Sequence, residues 1–220
     1  MTVNLSNITL QAYMQLKSEL ITCKLPPGKR IIISKVQRET GYSQSAIREA
    51  LSRLISEGLV VAELNSGFKA TAILTTGFRE LAEASLVLEV PCLESAIENG
   101  DIDWEGKLVA CYHVSSKLLP GAIEGKVDLS EYMSNRETFY DILFSPCQNQ
   151  WLIKAWKSLY LQQLRYRNMF YKLACYEAGL TDHYQLFLQA ICDRNTQRAV
   201  QLCREQYQAV IHFMEMNDIE

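Results

Sequence analysis

The sequence predicts a mainly α protein: an N-terminal winged helix-turn-helix with a small β-wing, followed by an all-helical bundle. Three features predict it. Apolar residues recur at helical spacing through most of the chain. Between residues 59 and 73 that period gives way to two short β-prone runs around a turn. From residue 78 onward the helical period returns and holds. This order places one domain at residues 1–74 and a second at 78–220.

Residues 8–23 read as a helix with Tyr13, Leu16 and Leu20 on one face. It must stop before "KLPPGKR", where two prolines and a glycine force a turn. "SKVQRET" is a short helix, and Ser34 with Gln37 three residues later forms a capping-box pattern. Gly41 closes it, and a second helix starts at Ser43 or Gln44 with Ile47, Leu51, Leu54 and Ile55 facing inward. Gly58 falls where a left-handed C-terminal cap belongs. "LVVAE" and "FKATAI" then read as strands joined by "LNSG", whose composition suits a tight reversal.

In the second domain, a helix begins after Thr75-Thr76 and ends at Gly100, with a bend expected at Pro91. "DWEGKLVACYHVSSKLL" and "LSEYMSNRETFYDILF" are helices around the expected loop "PGAIEGKVD". Residues 149–178 read as one long helix with Leu152, Ala155, Leu159, Tyr166, Phe170 and Leu173 along one side. The last helix carries Val200, Cys203, Tyr207, Val210 and Met214 as a single stripe. About six helices with apolar stripes close only by packing on one another.

The totals exclude several classes. With 48% apolar and 21% charged residues, the chain has the composition of a globular protein. It contains no apolar run long enough to span a membrane and no signal-peptide layout, so the expectation is a cytoplasmic protein. Seven scattered cysteines without a CxxC pair are expected as reduced, packed thiols. There is no P-loop, GxSxG or HExxH pattern and only three histidines, so no enzymatic activity is expected.

The net charge of −3 hides an asymmetry. Residues 1–72 hold nine Lys/Arg against five Asp/Glu, a balance of +4, and the remainder carries −7. A basic first third suits contact with a polyanion. The start of the second short helix offers Ser43, Gln44 and Ser45, with Arg48 one turn on. Short hydrogen-bonding residues at that position can meet base edges in a major groove. Lys29, Arg30 and Lys69 flank them and can neutralise phosphates. The plainer reading, a helical hairpin with a solvated polar face, leaves the wing and its Ser66-Gly67 tip without a role.

"KLPPGKRI", "SKVQRETGYSQSAIREALSRLISEGLV" and "NSGFKA" together resemble the N-terminal domain of GntR-family bacterial transcription regulators. The resemblance implies contacts to double-stranded DNA from Ser43, Gln44, Ser45 and Arg48, from Ser34 at the start of the preceding helix, and from Ser66 and Gly67 at the wing tip. Many members carry arginine where this chain has Gln44. The helical remainder resembles the effector-binding bundle of the FadR-like subgroup, the FCD domain. It implies a homodimer on a pseudo-palindromic operator and a small organic-acid effector.

In those relatives one carboxylate or amide and three histidines hold a metal, which in turn holds the effector's carboxylate. The corresponding positions here are Arg136, Tyr140, His183 and Gln206, with Tyr184 taking the place of His183 if the alignment shifts by one residue. Arginine donates and accepts nothing, so this set predicts no metal and no other cofactor. Arg136 would instead pair directly with an anionic ligand. Arg167 is a second candidate, with a surface salt bridge as its plainer role, and Ser85 stands where relatives often have arginine. The expected function is therefore a DNA-binding regulator controlled by a small organic acid. Its competitors are a winged-helix module that binds only proteins and an enzyme housed in the helical body.

Overall fold

The structure, a computed structural model, describes residues 5–63, 67–74, 77–169 and 181–216. The chain divides into two compact units, residues 1–74 with 164–169, and residues 75–163 with 170–220.

The first unit begins with α1 (Leu5–Ile21), followed by the two-residue strand β1 (Arg30–Ile31), α2 (Ile33–Thr40), α3 (Gln44–Ser56), β2 (Val60–Glu63) and β3 (Gly67–Ala70). The strands form an antiparallel sheet in the order β1-β3-β2. Arg30 lies opposite Lys69 and Val61 opposite Lys69 on the other edge. Ala12, Leu16 and Leu20 of α1 and Ile47, Ala50, Leu51 and Leu54 of α3 are buried together, closed by Val36, Leu59 and Ala70. Burying a Leu or Ile side chain contributes roughly 1.5–3 kcal/mol, so this stripe-on-stripe contact holds the unit together.

Turn chemistry fixes the helix-turn-helix. Gly41 takes φ 76° and its N–H bonds to the Gln37 carbonyl at 2.8 Å, ending α2. The Ser43 hydroxyl accepts the Ala46 N–H at 3.2 Å and so caps α3. Gly58, at φ 71°, follows the last turn, and the next N–H, of Leu59, returns to the Leu54 carbonyl at 3.1 Å.

Among the described residues the second unit contains α4 (Phe78–Asn99), α5 (Ile102–Ile123), α6 (Leu129–Leu143), α7 (Gln150–Met169, whose last six residues group with the first unit), α8 (Thr181–Cys192) and α9 (Thr196–Met216). Helix α5 packs on α6, while α4 and α8 both pack on α9. The fold is thus a winged helix-turn-helix with a small sheet, followed by an all-helical domain.

Three local expectations change. Helix α2 starts one residue before Ser34, with Ile32 as its uncapped N-terminal residue, so Ser34 and Gln37 form no capping box. The pairing of β1 with β3 delivers the chain to Ile32 in extended form and sets that start. Pro91 lies inside α4, and α5 continues through Pro120 into the stretch expected as a loop. Proline removes one donor only, and the Pro120 carbonyl still accepts the Glu124 N–H at 3.0 Å. In α7 Trp156, Tyr160 and Leu164 are buried together with the expected Tyr166, Leu152 and Leu159 are half-buried, and Ala155 is exposed. The large aromatic rings bury more area than the Leu152–Ala155–Leu159 side and take the inward face. Phe170 and Leu173 lie outside the described residues.

Candidate functional sites

In the first unit the start of α3 is a polar surface. Ser43, Gln44, Ser45 and Arg48 are all exposed, and Ser34, Lys29 and Arg30 are exposed as well. The Ser43 and Ser45 hydroxyls lie 3.0 Å apart, and the Gln44 side-chain amide donates to the side-chain Oε1 of Gln37 at 3.1 Å. Arg48 has no ion-pair partner among the described residues, whereas Arg53 nearby is paired with Glu49 at 2.6 Å. Lys69 is partly engaged with Glu63 at 3.4 Å. Gly67 opens β3 with φ 84°, a conformation that favours glycine at a wing reversal. Ser66 lies outside the described residues. This face offers donors and acceptors within one and a half turns of a capped helix N-terminus, with an uncommitted guanidinium beside them. That combination fits a major groove and its phosphates.

The second unit holds a pocket built mainly from α5, α6 and α8. Tyr132, Arg136 and Tyr140 recur every fourth residue on one face of α6, and Tyr184 and Phe187 face them from α8. Tyr112, Ser115, Ser116 and Leu119 of α5 complete the wall with Phe139 around a small cavity. Arg136 is 5% exposed. Its Nη1 donates to the Tyr184 hydroxyl at 2.9 Å and to the Tyr132 hydroxyl at 3.2 Å. Its guanidinium lies 5.1 Å from the Tyr184 ring centre and 5.9 Å from that of Tyr132. Gln206 of α9 donates to the same Tyr184 hydroxyl at 2.8 Å. The result is a cation placed at an otherwise apolar, aromatic wall.

Beneath Tyr140 lies an aromatic stack in which Tyr140 sits 5.3 Å from Trp156 and 4.9 Å from Tyr160. Buried Glu89 anchors this floor, accepting from the Trp156 indole at 2.8 Å and from the Tyr207 hydroxyl at 2.6 Å. Burial, and then the nearby Glu89 charge, push the Tyr140 phenol well above its ordinary range, and Tyr207 is raised in the same way. Both are neutral phenols at physiological pH.

The structure brings Arg136, Tyr140 and Gln206 together, the last through Tyr184. It does not bring in the other three expected residues. His183 bonds through Nε2 with the Leu202 carbonyl at 2.8 Å and does not line the pocket, whereas its neighbour Tyr184 does. Ser85 is fully buried but donates to the Leu81 carbonyl of its own helix at 2.7 Å. Arg167 is buried, does not line the pocket and falls in the segment grouped with the first unit. Tyr132 and Glu89 were missed. The spacing of "YMSNRETFY", tyrosine–arginine–tyrosine at i, i+4 and i+8, was the available signal for the first.

A divalent metal does not fit these residues. The donor set is a guanidinium, two phenols, of which Tyr140 is held neutral by burial, and an amide whose nitrogen points at Tyr184. No cluster of three His, Cys, Asp or Glu side chains suited to a metal occurs among the described residues. Nor is any described helix long and apolar enough to cross a membrane.

Two family models match the chain in succession: bacterial regulatory proteins of the gntR family over residues 8–69, and the FCD domain over residues 80–209. The chain is 29% identical over 167 residues to the uncharacterised HTH-type transcriptional regulator BphR of Paraburkholderia xenovorans, covering 76% of this chain and 68% of that one. It is 24% identical over 201 residues to the HTH-type transcriptional repressor GlaR of Escherichia coli, covering 90% and 91%. Its fold is similar to that of E. coli McbR/YncC, with a TM-score of 0.79 at 21% identity over 96% of this chain and 98% of that one. The chain therefore belongs to the gntR family of bacterial regulatory proteins, and its helical unit is an FCD domain.

Proposed function

We propose that the protein is a cytoplasmic, non-catalytic transcription regulator of the FadR-like subgroup whose operator affinity is set by a small organic acid held without metal. The observation that carries this reading is Arg136: a buried guanidinium fixed by two tyrosine hydroxyls at the wall of an aromatic pocket. A guanidinium pairs with a carboxylate through parallel N–H bonds and needs no ion between them. The rings of Tyr112, Phe139, Tyr140 and Phe187 favour an acid with an apolar body, a short alkyl or aryl monocarboxylate, over a polyhydroxylated sugar acid.

At the other unit, Ser43, Gln44, Ser45 and Arg48 read the groove, Ser34, Lys29, Arg30 and Lys69 hold phosphates, and Ser66 and Gly67 bring the wing to the backbone. Two copies would occupy the half-sites of a pseudo-palindrome. If acid and DNA influence each other's affinity, the coupling is reciprocal, so operator DNA must shift acid affinity by the same factor. Calorimetric titration of the metal-stripped protein with phenylacetate, benzoate and hexanoate tests the pocket. At least one should bind with one acid per chain, and Arg136→Lys should weaken it about tenfold. Binding of these acids unchanged by Arg136→Lys contradicts the assignment.

A further inference from the structure

Gln37 and Gln44 form a bonded amide pair across the turn between α2 and α3. Gln44 is the first residue of the recognition helix and is exposed, while Gln37 is half-buried. Both are held from below. The Gln37 carbonyl anchors Gly41 at the turn, and the Ser43 cap fixes the first turn of α3. A free glutamine side chain has three rotatable bonds and surrenders roughly 1.5–2 kcal/mol of rotamer entropy when it is ordered. Here part of that ordering precedes any contact with a base.

The bond to Gln37 also decides what Gln44 presents. A primary amide has two N–H donors and a carbonyl with two lone pairs. One N–H is spent on Gln37, which leaves the exposed Gln44 side chain one N–H donor and its carbonyl acceptor. Adenine offers the complement in the major groove, an N7 acceptor beside an N6 amino donor. Guanine offers two acceptors, N7 and O6, so the Gln44 carbonyl would face O6 with no hydrogen between them. Thymine offers an acceptor and a methyl group, and cytosine a single donor.

We propose that the Gln37–Gln44 pair is an adenine reader, in which Gln44 contacts N7 and N6 of one adenine per half-site and Gln37 is the positioning residue. This rests on the assignment of α3 as the DNA-reading helix. It adds a base identity and a second-helix residue to that assignment.

Selection of bound sequences from a random duplex library, with the full chain at fixed salt, tests it. The wild type should enrich a half-site containing one adenine whose replacement costs roughly tenfold in affinity. Gln44→Ala should erase the preference at that position alone. Gln37→Ala should weaken the same preference several-fold while leaving the other positions unchanged. Gln37→Glu keeps an acceptor for the Gln44 amide, so it should retain the adenine preference while lowering affinity for all DNA through phosphate repulsion. A wild-type site with no adenine that Gln44→Ala erases overturns the proposal. So does a Gln37→Ala protein whose base preferences equal those of the wild type. Recovery of no DNA sequence at all removes the reading of α3 and this inference together, whereas a selected operator insensitive to Gln44 removes the inference alone.

Discussion

The start of α3 and the wall of the helical pocket treat polar groups in opposite ways. Around α3 the polar side chains are exposed and lightly committed: Arg48 stands without an ion pair among the described residues, and Gln44 spends one donor on Gln37. In the pocket the polar groups are buried and bonded to one another, with Arg136 and Gln206 converging on Tyr184 and with Trp156 and Tyr207 converging on Glu89. An exposed face meets its partner by exchanging water and can change one residue at a time. A buried network loses an acceptor at a desolvation cost, so its members must change together.

Arg48→Ala is expected to produce the largest effect. It removes the uncommitted cation of the reading face, and operator affinity should fall on the order of 10- to 100-fold in gel-shift titrations at fixed salt. Unchanged affinity would mean that the exposed polar face is only solvated. Next, Tyr184→Phe deletes the hydroxyl that accepts from both Arg136 and Gln206. Unfolding stability should drop by about 1–3 kcal/mol in urea titration. Ser45→Ala, on the exposed face, should change it by less than about 0.5 kcal/mol. Equal costs would erase the contrast between the regions. The smallest effect is expected for Lys29→Ala, which should reduce the slope of log affinity against log salt by about 0.9 and leave base preference unaltered.

Much of this was readable from sequence because periodic burial writes itself into the chain. Leu16, Leu20, Ile47, Leu51 and Leu54 recur at helical spacing because they form one core, and Gly41 and Gly58 mark the positive-φ positions that end two helices. The two-residue strand β1 is too short to carry a period, and its pairing with β3 displaces the capping box expected at Ser34. The expected stripe of α7 holds at Tyr166 and fails at Ala155, because Leu152, Ala155 and Leu159 match the period as well as Trp156 and Tyr160 do. Ring size and the partners on other helices decided between them. In the pocket, a one-residue register separates His183 from Tyr184, and local sequence holds nothing that decides which of them lines the wall. The contact of Tyr184 with Arg136, 48 positions away, does.

The central claim is that a metal-free, arginine-centred pocket governs DNA binding. Fluorescence-anisotropy titration of a library-selected operator by metal-stripped protein, with and without millimolar phenylacetate, benzoate and hexanoate, tests it most directly. The account predicts that at least one acid shifts operator affinity several-fold without added metal and that Arg136→Lys moves this response to about tenfold higher acid concentration. An acid response that appears only when zinc is restored, or that survives Arg136→Lys intact, would contradict it.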